Sequence, residues 1–476
     1  MAASCTGGRM RSPTVSFVSL GCPKNLVDSE KMLGLLAEAG CPVVGDGLPS
    51  DVLVVNTCGF LAASRDEALG ILRDAAARRR CGQLKRLVVA GCLVQRDGQR
   101  LIEEVPEIDA LVGVNNREDI VSAVTSRPTR GAGGGRGSTA ARRPNRPLML
   151  LAEYHPLKQP GWSDRSRLRL TPRHYAYVRI SEGCDQKCTF CTIPRIRGPM
   201  HCKTPDQIRA ECAELIADGA SELLLIGQDT SSYGRDIAYA GGLAGLLREL
   251  DSLEGLRWLR LMYVYPTEVG DDLIDAIAEC PRVVKYIDMP LQHINDRVLK
   301  AMHRRIDRRG TEKLLEKLRS RIPGVTIRTT FIAGFPGETA DEFEELRAFI
   351  EEFGFDAVGV FPYSLEPETP AGRMKGQIDA GLAQDRTAAL METQQRVAFA
   401  KAAAMRGRVL EVVIDAFGRD GVYPARHGGQ APEIDSLTYV EGGEFDPGDL
   451  VRVRCTAGRD YDLVARPLGE SLPILR

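Results

Sequence analysis

Two series of short apolar runs, each run followed by a helical pattern, constrain what this chain can fold into. In the first series, runs 14–20, 52–55 and 87–90 read as buried strands, with helices over 29–40 and 62–80 between them. Apolar runs without alternation suit strands covered on both faces, so this part predicts a βαβ arrangement with a parallel sheet. The second series starts at residue 175, with strands expected over 175–180, 222–226, 258–264, 283–288, 325–332 and 356–361 and helices such as 204–218 and 341–352. Six such repeats are too few for a closed eight-fold barrel and predict a partial (β/α)6 barrel. After a long helical stretch, 382–405, short strands at 409–414, 438–441, 450–455 and 463–466 alternate with Gly and Pro, as in a small antiparallel β-barrel. The expected fold class is α/β: an N-terminal parallel-sheet domain (14–127), a linker (128–169), the partial barrel (170–402) and the small barrel (403–473). A length of 476 residues accommodates three domains at about 150 residues each.

Each strand of the first series runs into a polar or glycine element and then a cysteine: Leu20-Gly21-Cys22, Asn56-Thr57-Cys58 and Gly91-Cys92. Strand C-termini of a parallel sheet share one edge, so Cys22, Cys58 and Cys92 should converge there. A single buried cysteine is ordinarily a small apolar residue, but three at equivalent positions point to a ligand set. Thirteen cysteines, an odd number, with no apolar leader in the first 15 residues and no run of about 18 apolar residues, argue for metal or redox chemistry in the cytoplasm and against disulfides or a membrane span. With 63 basic and 64 acidic residues, the chain has no global attraction for a polyanion. The run 127–146, with six arginines and no acidic residue, reads as a solvated tether.

The strongest local signal is Cys184-Asp-Gln-Lys-Cys188-Thr-Phe-Cys191, directly after the first strand of the second series. Three thiolates at this spacing in a loop can hold three irons of a 4Fe-4S cluster and leave the fourth open. A zinc site, the alternative, would ordinarily add a second Cys pair or histidines nearby. With Phe190 beside the last cysteine, the motif is that of the radical S-adenosylmethionine (SAM) superfamily. Together with Gly21-Cys22-Pro-Lys-Asn-Leu-Val-Asp-Ser-Glu30, Asn56-Thr57-Cys58 and Gly91-Cys92-Leu93, it makes the chain resemble the methylthiotransferases from end to end, the last domain being of their TRAM type.

That resemblance implies two 4Fe-4S clusters, one on Cys184, Cys188 and Cys191 that binds SAM and one on Cys22, Cys58 and Cys92 that binds the sulfur to be delivered. SAM is cleaved to a 5′-deoxyadenosyl radical, which takes hydrogen from an unactivated carbon, and a second SAM donates the methyl group. By similarity, Phe190, Gly227, Gln228, Asp229, Gln292, Gly334 and Gly337 approach the cofactor, while Arg260, Asp288 and His293 either contact SAM or substrate or close the barrel mouth by hydrogen bonds. An electron donor of flavodoxin or ferredoxin type and a sulfur source are implied as partners.

The family modifies either an adenosine of transfer RNA or an aspartate of small-subunit ribosomal protein twelve. The run Thr171-Pro-Arg-His-Tyr-Ala-Tyr177, the Tyr363-Ser-Leu-Glu366 segment, and Ala425-Arg426 with Ala431-Pro-Glu-Ile-Asp435 resemble the ribosomal-protein branch. Residues 405–476 carry 9 basic and 12 acidic residues, net −3, which suits a basic protein better than RNA. The expectation is therefore methylthiolation of the β-carbon of that aspartate. The alternatives are transfer RNA as substrate, or a non-catalytic iron-sulfur protein that binds RNA or carries electrons.

Overall fold

The computed structural model describes residues 12–45, 47–125, 147–151 and 162–471; the Arg/Gly run 127–146 and Cys5 lie outside them. The chain divides into two compact units, residues 1–170 with 195–198, and residues 171–194 with 199–476.

The first unit is built on a six-stranded sheet of β1 (Val15–Ser19), β2 (Val43–Val44), β3 (Val52–Thr57), β4 (Arg86–Gly91), β5 (Ala110–Val112) and β6 (Leu148–Leu150), in the order β2-β1-β3-β4-β5-β6. All pairings are parallel. The non-alternating runs do face two cores: Leu53, Val55, Leu87 and Val89 pack on one side of the sheet, Val52, Val54, Val88 and Ala90 on the other. The first helix, Pro23–Glu38, begins earlier than residue 29. Pro23 supplies a fixed φ at the first helical position, where its missing N–H costs nothing.

The second unit opens with β7 (Tyr175–Arg179) and a two-stranded hairpin of β8 (Ser181–Glu182) and β9 (His201–Cys202). The barrel then continues through β10 (Glu222–Ile226), β11 (Trp258–Leu261), β12 (Val283–Asp288), β13 (Thr326–Ala333) and β14 (Ala357–Pro362). Neighbours follow chain order, β7-β10-β11-β12-β13-β14, and every pairing is parallel, giving the open six-strand barrel. Strand β11 stops at Leu261 rather than 264 because Tyr263 adopts φ 60 and turns its carbonyl to the N–H of Thr230. Two of the covering helices start at capping boxes, Thr204 with Gln207 and Thr339 with Glu342.

The C-terminal strands β15 (Val409–Ile414), β16 (Val422–His427), β17 (Thr438–Glu441), β18 (Leu450–Arg459) and β19 (Asp462–Ser471) close into a barrel in the order β15-β16-β17-β19-β18. Its core is Val412, Ile414, Ala425, Val440, Val451, Val453 and Ala465. This small barrel belongs to the same compact unit as the six-strand barrel. Partly buried polar contacts join the two: Arg260 donates to the Gly428 carbonyl (2.8 Å), the Tyr286 hydroxyl to Asp435 (2.7 Å), and the Tyr175 hydroxyl to Glu433 (3.1 Å). Among the described residues no helix is long and apolar enough to cross a membrane.

Candidate functional site

In the first unit the three cysteines sit at the C-terminal ends of β1, β3 and β4. Cys22 is the N-cap of helix Pro23–Glu38, and Cys92 is the first residue of helix Cys92–Glu104. Helix N-termini offer unsatisfied N–H groups and a positive dipole end, both favourable to a thiolate. Close backbone approach brings the loops together. A Cβ on Gly21 would lie 2.8 Å from the Cys58 Cβ, and one on Gly59 would lie 2.7 Å from the Leu93 nitrogen. Asn56 ties the strand ends to the helix, donating from Nδ2 to the Asn25 carbonyl (2.9 Å) and the Ser29 hydroxyl (2.8 Å).

Burial pushes the Cys92 thiol up to about 12; the Arg197 guanidinium opposes the rise, and Cys22 and Cys58 add to it, so all three sulfurs are in electrostatic reach of each other. The Cys58 thiol is likewise raised by burial. Arg197 Nη2 donates to Cys92 Sγ at 3.1 Å and to Asp28 Oδ2 at 3.1 Å.

In the second unit the loop Cys184–Cys191 is pinned on several sides. The Thr189 hydroxyl donates to the Ala301 carbonyl (2.8 Å), the Thr189 carbonyl accepts from Ala371 N (2.9 Å), and Gln186 donates to Asp229 (2.9 Å). Phe190 packs against Val298, Met302, Phe335 and Ala371, which anchors the loop by its aromatic side chain. Arg304 places Nη1 3.5 Å from Cys188 Sγ and lies over the Tyr265 ring at 4.5 Å, while the Tyr265 hydroxyl is 4.0 Å from the same sulfur. Burial raises Cys184 and Cys191 to about 12 each, and each feels the charge of Cys188.

Among the described residues no three His, Cys, Asp or Glu side chains converge tightly enough to hold a single metal ion. A mononuclear zinc site gathers its thiolates on one ion, whereas a 4Fe-4S cluster spreads three thiolates over three irons. The two thiol triads, each partly shielded from solvent and with donors already aimed at Cys92 and Cys188, have the chemistry that a cluster requires.

The strand-end residues divide. Gln228 gives one amide donor to Glu182 (2.7 Å) and leaves a buried Oε1 without a hydrogen-bond partner; the buried Ser181 Oγ also lacks one. Gln292 sits at φ 77 and pairs as a bridge with Phe331. These groups fit a polar ligand at the barrel mouth. Asp229 accepts from Gln186, Ser231 and Ser232, so it organises the loop. Gly227 and Gly334 are needed for packing, since a Cβ would meet Ser181 Oγ and Ala383 Cβ, each at 2.5 Å. Gly337 donates its N–H to the Gly376 carbonyl (2.8 Å), and at its φ of 78 a Cβ would lie 3.7 Å from Arg297 Nη1, an ordinary contact.

The structure places Arg260, Asp288 and His293 in hydrogen-bonded structure. Arg260 is fully buried between Glu222 and the Gly428 carbonyl, because its side chain points back to the start of β10. Asp288 accepts from Tyr263 N (3.2 Å) and Arg328 (2.7 Å). His293 accepts from Asn295 N (3.0 Å) and lies 3.5 Å from Glu338. The acidic C-terminal motif has a structural part as well: Asp435 and Glu433 accept hydrogen bonds from barrel tyrosines. Residues that the sequence does not mark as part of the sites include Asp28, Arg197 and Arg304, whereas Tyr265 stands in a strand-end segment on the expected functional face. Asp28 lies within the quoted 21–30 run, and Arg197 follows the cysteine loop by six positions.

Family models match in chain order: an uncharacterized protein family, UPF0004, over residues 14–113, the radical SAM superfamily over 178–350 and a TRAM domain over 407–468. The ribosomal protein uS12 methylthiotransferase RimO of Anaeromyxobacter sp. (strain K) is 42% identical over 94% of this chain and 92% of its own length. The chain belongs to the RimO family of radical SAM methylthiotransferases. The RimO of Trichlorobacter lovleyi is 39% identical over 96% of this chain and 98% of that relative. Among solved structures, the radical SAM methyltransferase TsrM from Kitasatospora setae, with cobalamin and a [4Fe-4S] cluster bound, matches with a TM-score of 0.52 at 16% identity over 76% of this chain and 74% of that one. At that identity the likeness is one of fold. RimO-family membership makes the chain an enzyme.

Proposed function

We propose that this RimO-family chain methylthiolates the β-carbon of an aspartate in ribosomal protein uS12, giving 3-methylthioaspartate. The observation that carries the reading is the pair of cysteine triads, one at the edge of each parallel sheet, each with one buried and two half-buried members. Cys184, Cys188 and Cys191 hold one 4Fe-4S cluster, and Cys22, Cys58 and Cys92 hold the other. When bound, the clusters and SAM supply hydrogen abstraction from an unactivated carbon, sulfur and the methyl group, chemistry that no acid or base of the chain could supply.

The chain's own residues position and exclude water. Phe190 and Thr189 fix the first cluster loop. Arg304 and Tyr265 cover Cys188. Gln228 Oε1 and Ser181 Oγ, buried and without hydrogen-bond partners, suit the polar groups of a bound SAM. Electrons come from a flavodoxin- or ferredoxin-type donor, sulfur from a separate source, and the work is done in the cytoplasm.

The test uses anaerobically reconstituted full-length protein with SAM, a reductant and a peptide of the target loop. A methylthio mass gain on aspartate is expected; a gain on transfer-RNA adenosine alone would overturn the reading. Absence of 5′-deoxyadenosine would instead favour a non-catalytic iron-sulfur protein.

A further inference from the structure

Residues 195–198 pack with the first unit although their neighbours in sequence belong to the second. Arg197 is the reason this short segment is anchored. Its guanidinium is 2% exposed and bonds Cys92 Sγ and Asp28 Oδ2, each at 3.1 Å. Asp28 Oδ1 in turn accepts from Arg117 Nη1 at 2.9 Å, and Arg117 pairs with Asp164 at 3.0 Å. Two carboxylates and two guanidiniums thus alternate in a buried line that ends on a sulfur. Buried ion pairs of this kind stabilise a fold weakly, if at all, once desolvation is counted, so stability alone is a poor account of them. The end of the line is better explained by what it touches. The Arg197 N–H is a charged donor held in place by a fixed carboxylate, aimed at one thiol of the triad.

We propose that Arg197 is a positioning residue for the cluster held by Cys22, Cys58 and Cys92, donating to the Cys92 sulfur and raising that cluster's one-electron reduction potential. The inference rests on the reading of those three cysteines as cluster ligands. Reduction adds a negative charge to the cluster, and N–H···S hydrogen bonds and nearby positive charge favour the more negative state. Asp28 orients the guanidinium and Arg117 restrains Asp28, so the donor keeps its direction in both oxidation states.

The full-length chain with Cys184, Cys188 and Cys191 all changed to Ala isolates this cluster for measurement. After anaerobic reconstitution it should hold about four irons and give a reduced-state EPR signal. A chain that takes up no iron overturns the ligand reading, and the inference with it. With iron present, Arg197→Gln in that background is expected to retain the iron and shift the midpoint potential, followed by EPR, to more negative values. Arg197→Lys, which keeps the charge but loses the planar donor, should shift it the same way by less. An unchanged midpoint in Arg197→Gln overturns the proposal while leaving the ligand reading intact. If Arg197→Gln loses its iron, the midpoint of Arg197→Lys decides, a negative shift supporting the proposal and an unchanged value overturning it.

Discussion

Arg426 of the small barrel lies 2.8 Å from Glu222, the first residue of β10 in the large barrel, and the two side chains are almost wholly buried. Glu222 also accepts from Arg260 at 2.8 Å, so one carboxylate bridges two guanidiniums at the junction of two barrels. Asp415 completes the arrangement by pairing with Arg426 at 2.7 Å and with His174 at 2.9 Å.

Removing the shared carboxylate takes the anionic partner from Arg260 and one of two from Arg426. Glu222→Gln should lower the stability of the second unit by about 3 kcal/mol, the scale seen when one partner of a buried pair is lost. Urea unfolding followed by a probe in each barrel checks it. The two probes should move together, because the junction links the barrels; a loss confined to one probe would contradict this account of the junction.

His427 gives the same junction an acid sensitivity. Its ring is half-buried, its Nδ1 accepts from Gly429 N at 3.0 Å, and burial with the nearby Arg260 and Arg426 charges lowers it from 6.5 to about 4. The unfolded chain therefore takes up this proton before the folded one does. Stability is complete above about pH 6.5 and drains as pH falls towards 4, by about 1 to 2 kcal/mol between pH 7 and pH 5. Urea midpoints at those two pH values should differ less in His427→Gln than in the parent.

Gly21 cannot carry a side chain without moving Cys58, given its φ of 97 and a Cβ position 2.8 Å from the Cys58 Cβ. Gly21→Ala is expected to cut iron from about eight to about four per chain while reductive cleavage of SAM continues. Iron analysis beside a 5′-deoxyadenosine assay separates the two clusters. The reciprocal change, Cys188→Ala, should also leave about four irons but abolish cleavage.

In metal-free protein the buried thiols Cys92, Cys184 and Cys191, each raised to about 12, stay protonated at pH 8. Exposed Cys81 should therefore react with iodoacetamide far faster than these three, as peptide mass mapping would show. Cluster assembly must expel their protons, so uptake should acidify a weakly buffered solution.

The elements and the site were legible to different degrees in the sequence. The apolar run 223–226 within Glu222–Ile226 and the residues Val283, Val284, Tyr286 and Ile287 of Val283–Asp288 declared those barrel strands, since burial on both faces favours apolar side chains. Val43–Val44, Ala110–Val112 and Leu148–Leu150 are too short to stand out from loop sequence. Val422–His427 escaped because Pro424, Arg426 and His427 look unlike a strand, yet Arg426 is polar in order to reach Glu222. The thiols were readable from spacing and position alone. Their partners were not: whether an arginine meets a sulfur, as Arg197 and Arg304 do, depends on distant segments coming together. The motif Ala431–Asp435 stands out in the sequence for its resemblance and its charge; its place among Tyr175, Tyr177 and Tyr286 gives it a structural use as well.

The four residues 195–198 bear on how this chain could be recombined with its relatives. A fragment or chimera cut at residue 170 would take Cys22, Cys58 and Cys92 away from the arginine that caps one of them, and would leave that arginine behind in the other piece. Any exchange of the N-terminal unit that is meant to keep its sulfur chemistry must transplant two separate stretches of sequence at once, which makes the pair a single heritable module despite the interval between them.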